Sequence, residues 1–326
     1  MQGERRALVT GATGFIGRAL VPALRARGWS VVAASRHPVA RTSAGVDWKT
    51  CDLLQAESLA PALEGVKAAY YLVHSMGQGH ASFREVELRA AQNFAAAAAK
   101  AGLERIIYLG GPAPRGLPSE HLSSRLRVGE ILRSGSVPAL ELRASMVIGS
   151  GGASWQIVRD LTLRLPFMVL PRWLRSRTRP VALDDVVVAL VAAADLPLQG
   201  SAWFDLPGPE TLTGRQILER IAAIRGRRLV ALDLPFLTPQ LSALWLRFVT
   251  RTDLSLAREL VGGLTQDLLP RDERYWQLIG HTRLQSFDEA ARRALATEAH
   301  GDGAGALLVS LEEWLVSQMA RHQRNA

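Results

Sequence analysis

Gly11-Ala12-Thr13-Gly14-Phe15-Ile16-Gly17 decides the fold of this 326-residue chain. Before it, Ala7-Leu8-Val9-Thr10 is a short apolar, β-branched run that reads as a buried strand. After it, Phe15, Ile16, Ala19, Leu20, Ala23 and Leu24 recur with helical spacing, so a helix begins inside the glycine run. A strand, a glycine turn and a helix form a unit suited to binding a dinucleotide. Gly11 permits the tight turn, Gly14 lets the backbone approach a pyrophosphate, and Gly17 lets helix and strand pack closely. The helix start supplies free N–H groups and a positive dipole end, and Thr13, Phe15 and Ile16 lie in the same cradle.

Composition bounds the remaining choices. The length suffices for one large domain or two intimate ones. Cys51 is the only cysteine, which excludes an internal disulfide framework and suits a reducing compartment. The first strand follows Met1-Gln2-Gly3-Glu4-Arg5-Arg6 directly, so the reading is of a cytoplasmic chain with no signal peptide. Asp184, Asp185, Asp233 and Arg247 interrupt the longest apolar runs, and no integral membrane segment is expected. The net charge of +9 permits nonspecific attraction to nucleic acid or anionic lipid. No zinc-finger spacing, RNA-binding aromatic signature or basic tail accompanies it, so no nucleic-acid partner is expected.

Strands and helices then alternate for about 140 residues, which predicts a parallel sheet covered on both faces. Strands are expected at Ser30–Ala34, Val46–Trp48, Ala68–Val73, Glu104–Leu109 and Ala139–Arg143. Helices are expected from near Gln55, over Ser82–Ala101 and over Ser119–Arg133. Ser35-Arg36-His37 closes the second strand without the acid that selects NAD, and Arg36 is placed for a 2′-phosphate, favouring NADP(H). The fourth strand runs into His74-Ser75-Met76-Gly77, where small or polar residues would line the nicotinamide-side ribose; a hydrogen-bonded strand-end histidine is the alternative for His74.

The spacing Thr10-Gly-x-x-Gly-x-x-Gly resembles the extended and atypical branches of the short-chain dehydrogenase/reductase superfamily. Further marks are Ala69-Tyr70-Tyr71-Leu72-Val73-His74-Ser75-Met76, Tyr108-Leu109-Gly110-Gly111, Ser119-Glu120-His121-Leu122, Arg143-Ala144-Ser145 and Pro171-Arg172-Trp173. Over residues 6 to 280 these are similar to an atypical NAD(P)H-binding group within the epimerase/dehydratase-like and NmrA-like members. The resemblance implies that Asp52 and Leu53 contact the adenine, while Asp52 also suits a cap for the next helix. It implies a serine after the fifth strand and a Tyr-x-x-x-Lys pair on the following helix. Here Gly110-Gly111 stands where the serine should be, and His121 and Arg125 replace tyrosine and lysine. The i, i+4 spacing still puts both on one helix face. Imidazole can exchange a proton near neutrality, and Arg125 can bind ribose hydroxyls but cannot act as a base. The alternative is that both are polar-face residues of a degenerate site.

The fold expected is a Rossmann-type doubly wound α/β sheet with a smaller, mostly helical C-terminal substrate lobe. Residues 1–150 form the nucleotide domain, with 179–196 returning to it and Asp184 as a helix cap. Residues 151–178 and 197–298 form the lobe, and 299–326 a linker and amphipathic terminal helix. Met76, Trp155, Phe167 and Trp173 are expected to line an apolar pocket. Arg172, Arg175, Arg177 and Arg179 follow closely, and at least one is expected at the pocket rim. Two functions remain: an NADPH-dependent oxidoreductase reducing C=O or C=C in a largely apolar small molecule, or a non-catalytic NADP(H) sensor of NmrA type. A homodimer is compatible with either.

Overall fold

The computed structural model describes residues 5–39, 45–73, 83–165, 167–234 and 266–301. The chain begins β1 (Arg6–Val9), α1 (Phe15–Ala26), β2 (Ser30–Ser35), β3 (Val46–Thr50), α2 (Ala56–Leu63) and β4 (Ala68–Tyr71). It continues α3 (Phe83–Lys100), β5 (Arg105–Gly110), α4 (Glu120–Arg133), β6 (Ala139–Arg143), β7 (Val147–Ile148) and α5 (Ala153–Arg164). Then come β8 (Met168–Pro171), a 3₁₀ turn (Arg172–Arg175), β9 (Arg177–Thr178), β10 (Val181–Ala182), α6 (Leu183–Ala193) and β11 (Ala202–Asp205). Last are β12 (Leu212–Thr213), α7 (Gly214–Ile224), β13 (Ala231–Leu234), α8 (Tyr275–Leu278) and α9 (Phe287–Gly301).

Seven parallel strands form the central sheet in the order β11-β6-β5-β4-β1-β2-β3. The winding direction reverses between β1 and β4, and a crevice opens there beyond the carboxyl ends of the strands. Because β1, β2, β4 and β5 are buried on both faces, their runs are largely apolar and alternate residues divide between two layers. Ala7, Val9, Tyr70 and Ile107 pack under α1 and α6 with Leu20, Leu24 and Leu190. Leu8, Tyr71, Ile106 and Tyr108 face α2, α3 and α4 with Leu63, Phe94 and Leu132. The alanine tract of α3 lets it lie close to the sheet; Ala91 and Ala98 are fully buried.

The smaller lobe has its own core, in which Trp155, Ile217, Ile221, Phe287 and Ala291 come together from α5, α7 and α9. Thr213 and Gln216 form the capping box of α7, and Gly226 ends it with φ +67°.

Four expectations change. The nucleotide domain extends beyond 196, because β11 pairs with β6 as the seventh strand and Tyr275 and Trp276 of α8 bury themselves in the same core. Tyr275 Oη donates to Ala189 O (2.8 Å) and Trp276 Nε1 to Pro207 O (3.0 Å), tying the late chain to α6. Asp184 is not the cap of α6; Ala182 holds that position, and Asp184 pairs with Arg293 and accepts from Gln285 Nε2. The stretch Leu165–Trp173, expected within a mostly helical lobe, contains β8, which pairs in parallel with β13. Helix α9 runs through Gly301, into the expected linker. The apolar segment 237–260 and the terminal helix 307–322 lie outside the described residues.

Gly17 allows the closest approach in the first βα unit. A Cβ there would stand 2.4 Å from Gly11 O and 2.6 Å from Ala12 Cα. Gly17→Ala is expected to destabilise the fold by about 1–3 kcal/mol, because backbone rather than a flexible side chain must move. Urea-denaturation midpoints of the two proteins check this.

Candidate functional site

A cavity of about 510 Å³ occupies the switch-point crevice, bordered by the glycine turn, the ends of β2 and β4, α3 and α4. At its centre, Gly11 adopts φ +65°, and a side chain there would meet Leu72 O at 3.1 Å. Gly14 is the N-cap of α1, offers no side-chain hydrogen bond, and is followed by no acid in the first turn. The positive end of α1 is therefore unscreened by its own chain, as anion binding requires. Thr10 Oγ1 donates to Tyr70 O (2.9 Å) and accepts from Leu72 N (3.1 Å), holding the two central strands at the point where the crevice opens.

Thr13, Gly14, Phe15, Ile16 and Gly17 all line the cavity, as do Arg36, Asp52 and Leu53 towards the edge of β2 and β3. Arg36 is exposed. Asp52 does not cap α2, whose N-cap is Gln55; its Oδ1 accepts from Leu54 N (3.0 Å), fixing the turn instead. Cys51 lines the same region, and burial raises its thiol pKa.

At the far end Arg125 reaches the cavity from α4. Its Nη2 donates to Leu109 O (2.7 Å), and Tyr108 Oη donates back to Arg125 O (3.1 Å). The Arg125 Nε is buried and has no hydrogen-bond partner among the described residues. Burial pushes Tyr108 up to about 12, so its hydroxyl stays protonated at physiological pH.

His121 stands one turn earlier on α4 but is only 8 % exposed and does not line the cavity. Burial first, and the Arg125 charge second, lower its pKa to about 3. The expectation of a histidine titrating near neutrality is overturned: its imidazole is neutral across the physiological range.

The sequence reading missed Glu87. It is 4 % exposed, lines the cavity from α3, and accepts a hydrogen bond from the fully buried Ser124 on α4. The available signal was its position: Phe83, Glu87, Ala91 and Phe94 follow helical spacing, so a carboxylate interrupts an apolar stripe.

Of the expected substrate residues, the two whose side chains are described, Trp155 and Phe167, do not line the cavity. Trp155 is fully buried in the lobe core, where its Nε1 donates to Glu298 Oε1 (3.1 Å), because it lies on the face of α5 turned towards α7 and α9. Phe167 is exposed beyond the other end of α5 and is not part of the cavity wall. His74, Ser75 and Met76, and the Trp173 side chain, lie outside the described residues. Carboxylates of the protein itself take up the nearby arginines: Arg177 pairs with Asp267 (2.7 Å) and Arg179 with Glu273 (2.7 Å). Neither arginine lines the cavity.

The buried histidine has a consequence for stability. An unfolded imidazole takes up a proton near pH 6.5, whereas the native one does so only near 3. Its contribution is complete above pH 6.5 and is lost as pH falls towards 3, by at most about 1.4 kcal/mol per pH unit. His121→Phe is expected to flatten the fall in stability between pH 6.5 and 5, measured as the urea midpoint at each pH.

Comparison with known proteins agrees with this geometry. The family model described as NAD(P)H-binding matches residues 11–163. An uncharacterised protein of Mycobacterium tuberculosis is 27% identical over 234 residues, covering 71% of this chain and 24% of that protein. The chain thus spans about a quarter of that longer relative. The ceramide reductase of Caulobacter vibrioides is 29% identical over 236 residues, 70% of this chain and 73% of that one. A short-chain dehydrogenase/reductase superfamily structure from Agrobacterium tumefaciens, with bound NAD, superposes with TM-score 0.66 at 20% identity over 91% of this chain and 98% of its own. Residues 11–163 are thus similar to the NAD(P)H-binding family, and the chain has the Rossmann-type α/β fold that such structures share.

Proposed function

We propose that the protein is an NADP(H)-dependent reductase of a largely apolar small molecule. The observation that carries the reading is one cavity with an unscreened helix N-terminus at its centre and an arginine towards each end. The turn from Gly11 to Gly17 would hold the pyrophosphate, with Arg36 on the 2′-phosphate and Asp52 and Leu53 at the adenine. Arg125 would lie against the nicotinamide ribose, with His74 and Ser75 as further ribose contacts. The buried, unpartnered Nε of Arg125 fits a site completed by a ligand.

The cofactor supplies a hydride when bound. In carbonyl reduction, the Arg125 guanidinium would stabilise the developing alkoxide, which then takes a proton from water; Arg125 holds its own proton throughout. His121 would position Arg125 rather than touch substrate, since it stands behind the cavity wall and stays neutral. The apolar substrate class, with Met76 and Trp173 as candidate contacts, is favoured by the relation to a ceramide reductase. A long-chain ketone is then the first substrate to try. The second reading, a cofactor sensor without turnover, is favoured by the exclusion of His121 from the cavity.

Two measurements test this. Arg36→Ala is expected to weaken NADPH binding about tenfold or more and leave NADH binding unchanged, by calorimetry. Equal affinities of the parent protein for both cofactors would contradict the NADP(H) assignment. Arg125→Gln is expected to lower kcat for NADPH oxidation with a long-chain ketone by about a hundredfold. NADPH binding without oxidation across long-chain ketones and enones would favour the sensor.

A further inference from the structure

Phe167, Val230 and Leu232 are three of the six large apolar side chains exposed among the described residues, at 48%, 54% and 53%. Leu232 lies on β13 of one small sheet, and Phe167 and Val230 immediately precede its two strands. Strands β8 and β13 pair in parallel, with Met168 opposite Ala231, and Met168 N donates to Val230 O (2.9 Å). The inner face of this sheet is closed: Met168 and Leu170 pack on Ile157, Leu161 and Leu218. Alternation along the strands puts Val230 and Leu232 on the opposite, outer face.

Basic groups border this face in the turn that leads into β13. Between Glu219 and Asp233 the chain carries four arginines and no acid; Arg220 pairs with Glu210 and Asp288, and Asp233 stands on β13 itself. Arg225 and Arg228 are exposed in the turn that delivers Val230. Arg227 Nη1 donates to Leu163 O (2.9 Å), fastening the basic turn to the end of α5 beside Phe167.

We infer that the outer face of the β8–β13 sheet docks on an anionic lipid surface. Exposed aliphatic and aromatic side chains bordered by arginine suit insertion at the headgroup boundary, where apolar burial and attraction to anionic lipid act together. The contact is peripheral: no described helix is long and apolar enough to cross a membrane. Helix α5 joins the face to the cofactor cavity, which Ala153 lines at the other end of its 12 residues, about 18 Å away. The inference extends the reading of an apolar substrate, because a membrane is where such a molecule resides.

Co-sedimentation of the full-length chain with vesicles tests it without turnover, so it stands or falls apart from the reductase reading. The probes are vesicles of phosphatidylcholine alone and of phosphatidylcholine mixed with phosphatidylglycerol. Binding is expected only to the mixed vesicles, weakening as salt rises. Arg228→Gln should reduce it about fivefold and Leu232→Asp more than about tenfold, with NADPH affinity unchanged as proof of folding. Binding to neither vesicle, equal binding to both, or binding that survives Leu232→Asp would overturn the inference. A dimer that Leu232→Asp dissolves, seen by analytical ultracentrifugation, would assign the face to a second copy instead.

Discussion

Gly17 packs where any side chain would collide with the Gly11 carbonyl, and the rest of the structure depends on that approach. It sets the first turn of α1 against the end of β1, so the helix N-terminus points into the crevice while Leu20 and Leu24 reach the core. The dipole end and the core packing are thus fixed by one contact. Thr10 completes the arrangement from β1, bonding to both Tyr70 and Leu72 where the sheet reverses direction.

The second constraint is a buried ion network beneath α4. Glu141 on β6 is 1% exposed and accepts from Arg133 Nε (2.8 Å) on α4 and Arg143 Nε (2.9 Å) on its own strand. Gly129 makes room for it; a Cβ there would lie 2.5 Å from the carboxylate. Arg143 also stacks on Trp203 at 4.2 Å, joining β6 to the edge strand β11. Such a network is costly to break, since removing one partner strands the others' charge in the core. It pins α4, the helix that carries His121, Ser124 and Arg125. The side chains facing the cavity therefore stand on a rigid support.

Much of the nucleotide domain was legible because its signals are local. The glycine turn, the apolar strands and the helix stops at Gly28 and Gly102 each follow from a few consecutive residues, and both of these glycines have positive φ. Arg36, Asp52 and Arg125 line the cavity, each standing a fixed step from a strand end or on a shared face of one helix. What was not legible depends on tertiary partners. Asp184 looks like a cap until Arg293 is brought to it from α9. Trp155 looks like a pocket residue until α7 and α9 cover it. Glu87 carries no motif, and only the approach of Ser124 from the next helix shows that it faces the site. Arg177 and Arg179 read as anion-seeking because their partners Asp267 and Glu273 lie about 90 residues later in the chain.

The central claim is that one crevice holds the whole cofactor, from Asp52 to Arg125. A crystal structure of the protein with NADPH tests it most directly. The account predicts the pyrophosphate on the N–H groups at the start of α1, the 2′-phosphate on Arg36, and the nicotinamide ribose within hydrogen-bond reach of Arg125. A cofactor bound with its nicotinamide away from Arg125, or a crevice that stays empty in saturating NADPH, would contradict it.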